Sequence, residues 1–523
     1  MKGLVYLVLM IITVSGFGQV NVIPMPQDVV MKDGICVSNF NHFVLARKTK
    51  NRDVHNNIME VYEDYIMHDK SKSWTFTNLK LIIKVNLIDG YDKLIGAEGY
   101  HLTVSPDTIS IAANNSNGLL YGFESLNQMI EASTSLDTAE RVKYHYDRSY
   151  TKLPCCQITD YPAYSYRAMH LDVCRHFFSK EFVKDYIDYL VYYKINTFHW
   201  HLTDDQGWRI EIRKYPKLTG VGAHRKGKSG EEENDNGYYT QSDIRDIVKY
   251  ATDRGITIIP EIEMPGHSSA ALAAYPYLGC SGRQIDVPTT WGIKKDIYAP
   301  TDTVFKFFKD VMDEVCALFP GRYIHIGGDE APKAQWKKSP IAQSVMKQNK
   351  LKNEEELQHY FMHRVEQYLQ TKGKTAIGWG EVVKGGLSDS IVVMSWLNKE
   401  AGIKAAKHGN NVIMAPRIYC YFDYPQKGDR AKAWWMLPLP LEKVYKFDPI
   451  PKGLSAEAQK HILGGEATLW TEYVKTEKQA LHQLIPRLPA MSEALWTKPG
   501  RKDFKSFMER LKALDALEPF NFL

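Results

Sequence analysis

Two patterns of hydrophobic and polar residues divide the chain at about residue 161. Before that point, short stretches at 80–86, 100–104 and 108–112 alternate between apolar and polar positions, which is the period of a half-buried β-strand. Two further stretches, 54–68 and 119–132, have the spacing of amphipathic helices. The pattern therefore predicts a small α+β domain over residues 19–161.

Beyond this point, short continuous apolar runs alternate with helical segments. The runs lie at 167–173, 195–202, 257–262, 323–326, 375–379, 391–396, 411–415 and 461–469, and the helical segments at 179–193, 241–253, 301–318, 354–371, 399–408 and 478–495. Continuous apolar runs indicate strands buried on both faces, and alternation with helices indicates parallel pairing. Eight such strands predict a (β/α)8 barrel, an α/β fold, over residues 162–523. The alternative is an open doubly wound sheet, but no strand is followed by a GxGxxG or GxxxxGK[ST] motif.

One segment interrupts this alternation. Residues 214–237 are strongly polar and follow the second predicted barrel strand. We interpret them as a mobile, solvated insertion in preference to a lid over a site.

The first 18 residues have the order of a secretory signal. Lys2 precedes an almost purely apolar run at 4–14, and small, turn-forming residues follow. The run is too short to span a bilayer, and no other stretch reaches 18 apolar residues. We predict a signal peptide over 1–18 and an exported protein without a membrane span, located in the periplasm, at the cell surface or outside the cell. The alternative is that the run forms a buried element of the first domain.

Composition narrows the classes of partner. A net charge of +5 over 523 residues gives no reason to expect nucleic acid. The seven cysteines are odd in number and contain no CxxC pair, so no disulfide or zinc framework can be recognised. Aromatic residues are abundant, with 31 Tyr, 20 Phe and 11 Trp. This excess of aromatic residues is consistent with a ligand that packs against aromatic side chains.

Chemically reactive residues concentrate where the predicted barrel strands end, which is where such barrels carry their active sites. These positions hold Asp172, Arg175, His176, His199, His201, Asp204, Asp205, Glu261, Glu263, His267, His325, Asp329, Glu330, Trp379, Trp396, Tyr419, Tyr421, Asp423 and Trp470. Indole rings pack on the apolar C–H faces of a sugar, and charged side chains bind its hydroxyls. The combination predicts a carbohydrate site that cleaves glycosidic bonds.

Asp329 and Glu330 are neighbours in the sequence, which favours one kind of mechanism. Two ordinary catalytic carboxylates flank the sugar at about 5 Å or more, and adjacent residues are poorly placed to do this. The pair instead suits a reaction in which a 2-acetamido carbonyl of the substrate attacks the anomeric carbon. One carboxylate would then hold the amide N–H, and the other would act as acid and base. Such a reaction needs no cofactor and no metal.

The motifs around these residues resemble those of the β-N-acetylhexosaminidases of glycoside hydrolase family 20. The motifs are RAMHLDVCRHF from Arg167, HWHLTDDQGWR from His199, PEIEMPGH from Pro260, HIGGDE from His325, YFDY from Tyr421 and GGEATLWTE from Gly464. The resemblance covers about residues 160–500, and the preceding segment resembles the small α+β domain that often accompanies this barrel. It implies an exo-acting, retaining enzyme that removes terminal β-linked N-acetylhexosamine through an oxazolinium intermediate.

The resemblance also implies roles for individual residues. Asp329 would orient the acetamido group, Glu330 would be the general acid/base, and Tyr421 would hydrogen-bond the acetamido oxygen. His267 and Asp204 would form a relay behind Glu330. The implied sugar-binding residues are Arg175, Asp423 and Glu472 for the outer hydroxyls and Trp379, Trp396 and Trp470 for the pocket walls. The chain departs from the commonest pattern at Ala168, where Gly is usual, and at Glu263, where Asp is frequent.

Two alternatives remain open on the residues alone. His199 and His201 form an HxH pair, and His267 and His325 lie at neighbouring strands, which together resemble the ligands of a metal-dependent hydrolase. A glycan-binding protein without catalytic activity would share the aromatic platform, but it would lack an acid at the position of Glu330.

Overall fold

A computed structural model of the protein describes residues 20–38, 43–47, 81–144, 151–226 and 236–514. The predicted signal peptide, the predicted helix at 54–68 and part of the polar segment, 227–235, lie outside these residues. No helix in the described ranges is both long and apolar enough to cross a membrane. All seven cysteines fall within them as free thiols.

The first part of the described chain forms a six-stranded sheet with one long helix against it. Its strands are β1 (Asp28–Ser38), β2 (Phe43–Arg47), β3 (Leu81–Leu87), β4 (Tyr100–Val104), β5 (Thr108–Ala113) and β6 (Thr151–Asp160), in the spatial order β1-β6-β4-β5-β3-β2. Alternate residues of β4 and β5 are buried under the helix Ser116–Tyr144, as the two-residue period predicts. The three predicted strands are therefore confirmed.

The second part is a closed barrel of eight parallel strands, which confirms the predicted fold. Its strands are β7 (Tyr166–Asp172), β8 (Thr197–His201), β11 (Thr257–Glu261), β12 (Tyr323–His325), β13 (Thr375–Trp379), β14 (Val392–Ser395), β15 (Val412–Met414) and β16 (Ile462–Ala467), and β16 pairs with β7. Two short strands, β9 (Thr203–Asp204) and β10 (Gly207–Trp208), form a hairpin after β8. Each predicted apolar run overlaps one barrel strand.

Helices and turns connect the barrel strands. The α-helices of this part are Lys180–Tyr192, Lys217–Gly220, Gln241–Asp253, Ser269–Ala274, Asp302–Leu318, Ala334–Lys338, Pro340–Gln348, Glu354–Thr371, Glu400–His408, Arg417–Cys420, Leu441–Tyr445, Ala456–Gln459, Glu477–Leu484, Arg487–Trp496 and Phe504–Ala513, and the 3-10 turns are Pro276–Leu278, Gly380–Val383 and Pro499–Arg501. The prediction of a single helix at 478–495 is wrong. The segment forms two helices, because Pro486 has no N–H to continue the hydrogen-bond ladder.

The α+β part contacts the barrel at the N-terminal ends of the barrel strands. Arg167, at the start of β7, donates two hydrogen bonds to the Glu98 carboxylate, at 3.0 and 2.9 Å. Lys194, which precedes β8, lies 3.1 Å from an Asp160 oxygen, and the Trp496 indole donates to the other Asp160 oxygen at 2.8 Å. These buried contacts cover the bottom of the barrel, so the opposite end, where the reactive residues were predicted, is left open.

The polar segment after β8 differs from its prediction. Leu218, Ala223 and Arg225 are buried, and the Arg225 guanidinium donates to the backbone oxygen of Arg175 at 2.7 Å. The interpretation as a solvated insertion is therefore wrong for the buried positions of residues 214–226, whereas Lys214, Lys217 and His224 are exposed as predicted. The polar composition of this segment suggested exposure to solvent, but an arginine can be buried when its guanidinium donates to backbone oxygens.

Candidate active site

The turn after β12 holds the predicted carboxylate pair in an unusual backbone conformation. Gly327 and Gly328 have φ of +64° and +102°, and Glu330 itself has φ of +44°. A Cβ at Gly327 would lie 1.8 Å from an oxygen of Glu263, so no side chain fits there. The Gln358 side-chain amide donates to the Gly328 carbonyl at 2.6 Å. A non-glycine residue at positive φ is strained, and this strain is typical of functional turns.

One histidine brings Asp329 and Glu330 together. Nε2 of His267 lies 3.5 Å from Asp329 Oδ2 and 3.7 Å from Glu330 Oε2. One ring nitrogen of His267 and one carboxylate oxygen each of Asp329 and Glu330 all lie within 4.8 Å of one another. His267 also has a positive φ, +46°. The two carboxyl groups therefore face the same side of the site.

Asp204 holds His267 from behind, as the resemblance implied. Its Oδ1 lies 3.3 Å from His267 Nδ1, and its Oδ2 lies 3.0 Å from Arg175 Nη2. Burial alone would raise the pKa of Asp204, but Arg175 and His267 hold it well below its usual range. Burial would likewise lower the pKa of His267, but the Asp204 and Asp329 carboxylates raise it well above its usual value. At neutral pH, Asp204 is therefore a carboxylate and His267 is an imidazolium.

Glu330 has the electrostatics of an acid that works near neutral pH. Burial, followed by the neighbouring Asp329 carboxylate, raises the pKa of Glu330 to about 7. The His267 and Arg175 cations act in the opposite direction and are outweighed. A good part of the Glu330 side chain, 36%, remains exposed, so the group can reach a substrate. Its proton is therefore available at neutral pH and below.

Four aromatic side chains, which follow four consecutive barrel strands, form the pocket. Trp379 lies 6.5 Å from Trp396 and 5.9 Å from Trp470, measured between ring centroids. The Tyr421 ring is stacked on Trp396 at 6.1 Å and lies 6.5 Å from Trp470. Trp379 is only 1% exposed and forms the base of this group. The structure thus brings together the four aromatic residues to which the family resemblance gave a role.

Charged groups gather at one end of the aromatic pocket. Arg175 lies over the Trp470 ring at 5.1 Å and 3.9 Å from Glu472 Oε1. Burial, then the Glu472 carboxyl, raises the pKa of Asp423 well above its usual value. Asp423 Oδ1 and Trp470 Nε1 are buried atoms with no hydrogen-bond partner among the described residues. Unpaired buried polar atoms in a pocket are candidates for ligand contacts.

Sequence reasoning missed two members of the site. Glu381, in the turn after β13, accepts a hydrogen bond from the Trp396 indole at 2.9 Å, and burial together with Asp329 raises its pKa. It directly follows the Trp379-Gly pair at a strand end, so the same strand-end rule could have found it. Gln206 accepts from Arg175 Nε at 3.1 Å and donates to the Thr290 carbonyl at 2.9 Å. No local signal marks this bridge to a distant loop.

Glu263, the unusual residue of the third motif, is a buried carboxyl beneath the Gly327 turn. It is 2% exposed, and neither oxygen has a hydrogen-bond partner in the described structure. Burial, then the Asp329 carboxylate, raises its pKa well above the usual value. The carboxyl lies against Gly327 and supports the turn by contact.

Three histidines of the metal-binding alternative, His199, His201 and His325, lie below the pocket, whereas His267 lies in it beside Asp329 and Glu330. His199, Glu261 and His325 offer ligand atoms within 4.8 Å of one another. All three side chains are completely buried inside the barrel. A catalytic metal needs a coordination position that a substrate can reach, and this cluster offers none.

A closed (β/α)8 barrel whose strand ends join a protonated glutamic acid, a second carboxylate and an aromatic pocket defines a glycoside hydrolase. Comparison with known proteins identifies the family. The profile described as "Glycosyl hydrolase family 20, catalytic domain" matches residues 164–499, and the one described as "Glycosyl hydrolase family 20, domain 2" matches residues 19–161. The chain belongs to glycosyl hydrolase family 20, which confirms the family predicted from its motifs.

Individual relatives agree with this assignment. The chain is 46% identical over 418 residues to a beta-hexosaminidase of Porphyromonas gingivalis, a match that covers 79% of this chain and 52% of the relative. A crystal structure of an exo beta-N-acetylglucosaminidase of the same family from Vibrio harveyi, in complex with N-acetylglucosamine, has a TM-score of 0.79 and 31% identity and covers 96% of this chain and 79% of that one. A beta-N-acetylhexosaminidase from Bacteroides fragilis has a TM-score of 0.77 and 32% identity and covers 95% of both chains. The chain thus spans about half the length of the Porphyromonas relative.

Proposed function

We propose that this protein is an exo-acting, retaining β-N-acetylhexosaminidase that removes terminal β-linked N-acetylglucosamine or N-acetylgalactosamine with the help of the substrate's own acetamido group. The observation that carries the proposal is the placement of Asp329 and Glu330 against one nitrogen of His267. Carboxyl groups on neighbouring residues that both face one imidazole nitrogen are poorly placed to flank a sugar ring as an enzyme nucleophile and an acid. The nucleophile is therefore assigned to the substrate.

In the first step, the acetamido oxygen attacks the anomeric carbon as the glycosidic C–O bond breaks. Glu330 gives its proton to the leaving oxygen, and Asp329 accepts a hydrogen bond from the amide N–H, which becomes positively polarised in the oxazolinium. Tyr421 directs its hydroxyl to the acetamido oxygen. The indoles of Trp379, Trp396 and Trp470 exclude water around the acetamido methyl group.

In the second step, water attacks the same carbon from the face that the leaving group left. The Glu330 carboxylate takes a proton from this water, and the bond between the anomeric carbon and the acetamido oxygen breaks. The acetamido group is restored, Glu330 is protonated again, and the product keeps the β configuration.

Recognition of a chain end follows from the charged end of the pocket. Arg175, Asp423 and Glu472 offer directional hydrogen-bond partners to the outer hydroxyls of one sugar. Burial raises the pKa of both Asp423 and Glu472. A terminal sugar with free hydroxyls fits such a site better than an internal one.

A panel of defined glycosides tests the proposed function. We expect release of the sugar from 4-nitrophenyl β-N-acetylglucosaminide or β-N-acetylgalactosaminide and from the non-reducing end of chitotriose. The matching β-glucoside, which lacks the acetamido nucleophile, should stay intact. Proton NMR of the fresh product should show the β anomer first. Hydrolysis of the glucoside at a comparable rate, or the α anomer first, would contradict the mechanism, and loss of activity on exhaustive chelation would favour the metal alternative.

We also propose that the chain is exported, on the strength of Lys2 and the apolar run at 4–14. The division into a domain over 19–161 and a barrel over 162–523 belongs to the same proposal. N-terminal sequencing of the protein recovered from the cells that produce it should begin near residue 19. A sequence beginning at Met1 in the exported fraction would overturn the signal peptide.

A further inference from the structure

A cluster of titratable side chains fills the barrel interior beneath the sugar pocket, and the reaction described above does not use it. Its members are His170, His199, His201, Glu261, His325 and Glu466, and each is completely buried. Barrel interiors are usually packed with branched apolar residues. Buried charges are costly unless they are paired, so such a cluster needs a reason.

Glu261 lies at the centre of this cluster and uses both of its oxygens. Oε1 accepts from the Trp379 indole at 2.7 Å, and His325 Nδ1 lies 2.9 Å from the same oxygen. Oε2 lies 2.5 Å from Nδ1 of His201 and 3.1 Å from Nε2 of His199. One carboxylate therefore touches a wall of the sugar pocket on one side and a histidine of the neighbouring strand on the other.

His201 continues the contact toward the reacting groups. Its Nε2 lies 2.9 Å from Asp204 Oδ2. Asp204 in turn reaches His267 through its other oxygen, and His267 faces Glu330. Hydrogen bonds thus connect Glu261 to His267 through His201 and Asp204, and His267 Nε2 lies 3.7 Å from the Glu330 carboxyl.

The charges along this series alternate in sign. Burial by itself would raise the pKa of Glu261, but its three histidine neighbours hold it well below the usual range. Burial would lower the pKa of His201, but Glu261 and Asp204 raise it to about 10. The groups that face His201 are Glu261 from β11, Asp204 from β9, Asp172 and the neutral His170 from β7, and the Cys174 thiol after it. At neutral pH, His201 is therefore a cation between two carboxylates.

We propose that Glu261 is a positioning residue for the reaction, since it fixes the Trp379 indole and, through His201, the Asp204 carboxylate that holds His267 behind Glu330. This inference rests on the proposed function. Glu261 touches no substrate atom. It makes the position of a sugar-pocket wall and the position of the acid/base depend on a single carboxylate.

The test compares the variants Glu261→Gln and Glu466→Gln with the wild-type protein on 4-nitrophenyl β-N-acetylglucosaminide. A glutamine at position 261 has one acceptor for two sets of donors, so either Trp379 or His201 faces an amide NH2 group. Glu466 is the matched control, because it is equally buried and accepts from His199 and Tyr166, at 2.7 Å each, but touches neither Trp379 nor His201. Both substitutions remove one carboxylate from the same interior.

For Glu261→Gln we expect kcat to fall about 10- to 100-fold, because small displacements of reacting groups have effects of this size. The alkaline limb of kcat/KM should shift to lower pH and become steeper than one ionisation, because His201 loses the partner that keeps it protonated. Glu466→Gln should keep the wild-type midpoint and slope, whatever its thermal stability. A Glu261→Gln profile that superimposes on the wild-type profile after scaling, or an unchanged kcat, would overturn the inference.

A second variant decides the matter if Glu261→Gln does not fold. His201→Asn keeps a donor at the position of Nδ1 for Glu261 and removes the one at Nε2 that reaches Asp204. We expect kcat to fall while KM stays within about threefold of wild type, because the Trp379 contact survives. Wild-type kcat in His201→Asn would overturn the inference. Inactivity of the wild-type protein on the same substrate would instead overturn the proposed function.

Discussion

Replacing Glu330 with glutamine should separate substrates by the leaving group they carry. Glutamine cannot give up a proton, so hydrolysis of chitobiose, whose leaving oxygen needs protonation, should slow about 10²- to 10⁴-fold. The activated 4-nitrophenyl glycoside, whose leaving group departs as an anion, should keep its rate to within about tenfold. Steady-state rates on both substrates measure this difference. Equal and modest losses on the two would show that Glu330 is not the acid.

The pH dependence of the same variant provides the internal control. Because the pKa of Glu330 is raised to about 7, the wild-type acid is protonated below that pH and lost above it. The kcat/KM of the wild-type protein on chitobiose should therefore fall as the pH rises through about 7. With Glu330→Gln on the activated substrate, this alkaline limb should be absent. If kcat/KM of the variant still falls as the pH rises through about 7, a group other than Glu330 causes that fall.

Replacing Asp329 with alanine should impair bond cleavage far more than sugar binding. The carboxylate has its main effect when the acetamido N–H becomes positively polarised, so its loss removes an interaction that is strongest in the transition state. We expect kcat on 4-nitrophenyl β-N-acetylglucosaminide to fall about 10²- to 10³-fold, with KM changed about threefold or less. Unchanged turnover would remove substrate assistance from the mechanism.

Glu381→Gln is a suitable comparison for Asp329→Ala. Glu381 is also an acidic residue beside the pocket, but its contact is with the Trp396 indole and not with the reacting centre. The amide oxygen of glutamine can still accept that hydrogen bond, so the main change should be in KM. A loss of kcat in Glu381→Gln as large as in Asp329→Ala would mean that any acidic residue in this region has the same effect.

Chain order and local periodicity were sufficient to predict the barrel. Each of the eight apolar runs overlaps a barrel strand, and the run at 375–379 has the same bounds as β13. This succeeds because a strand buried on both faces must be apolar at nearly every position, whatever its neighbours are. The same rule failed for 478–495, where apolar residues continue across Pro486 although the helix does not.

Residues at strand ends could likewise be placed in one site from the sequence, because all parallel strands of a barrel end at one face. Trp379 lies beside Trp396 and Trp470, and Asp329 and Glu330 lie against one nitrogen of His267. The buried positions of residues 214–226 could not be foreseen, because the polar composition of this segment conceals an arginine that is paired with backbone atoms. The histidines of the HxH pair were equally ambiguous, since a metal site and a set of ion pairs need the same residue types.

The sequence by itself determined the order of the strands, the class of the fold and the set of residues at the open end of the barrel, because these depend on local patterns. Only the tertiary structure decided which charges meet. Glu261 comes from β11, His201 from β8 and Trp379 from β13, and their contacts follow from barrel closure. Protonation states depend on such contacts, because charges in a buried, weakly polarisable interior interact strongly over a few ångströms. The raised pKa of Glu330 is therefore a property of the folded barrel.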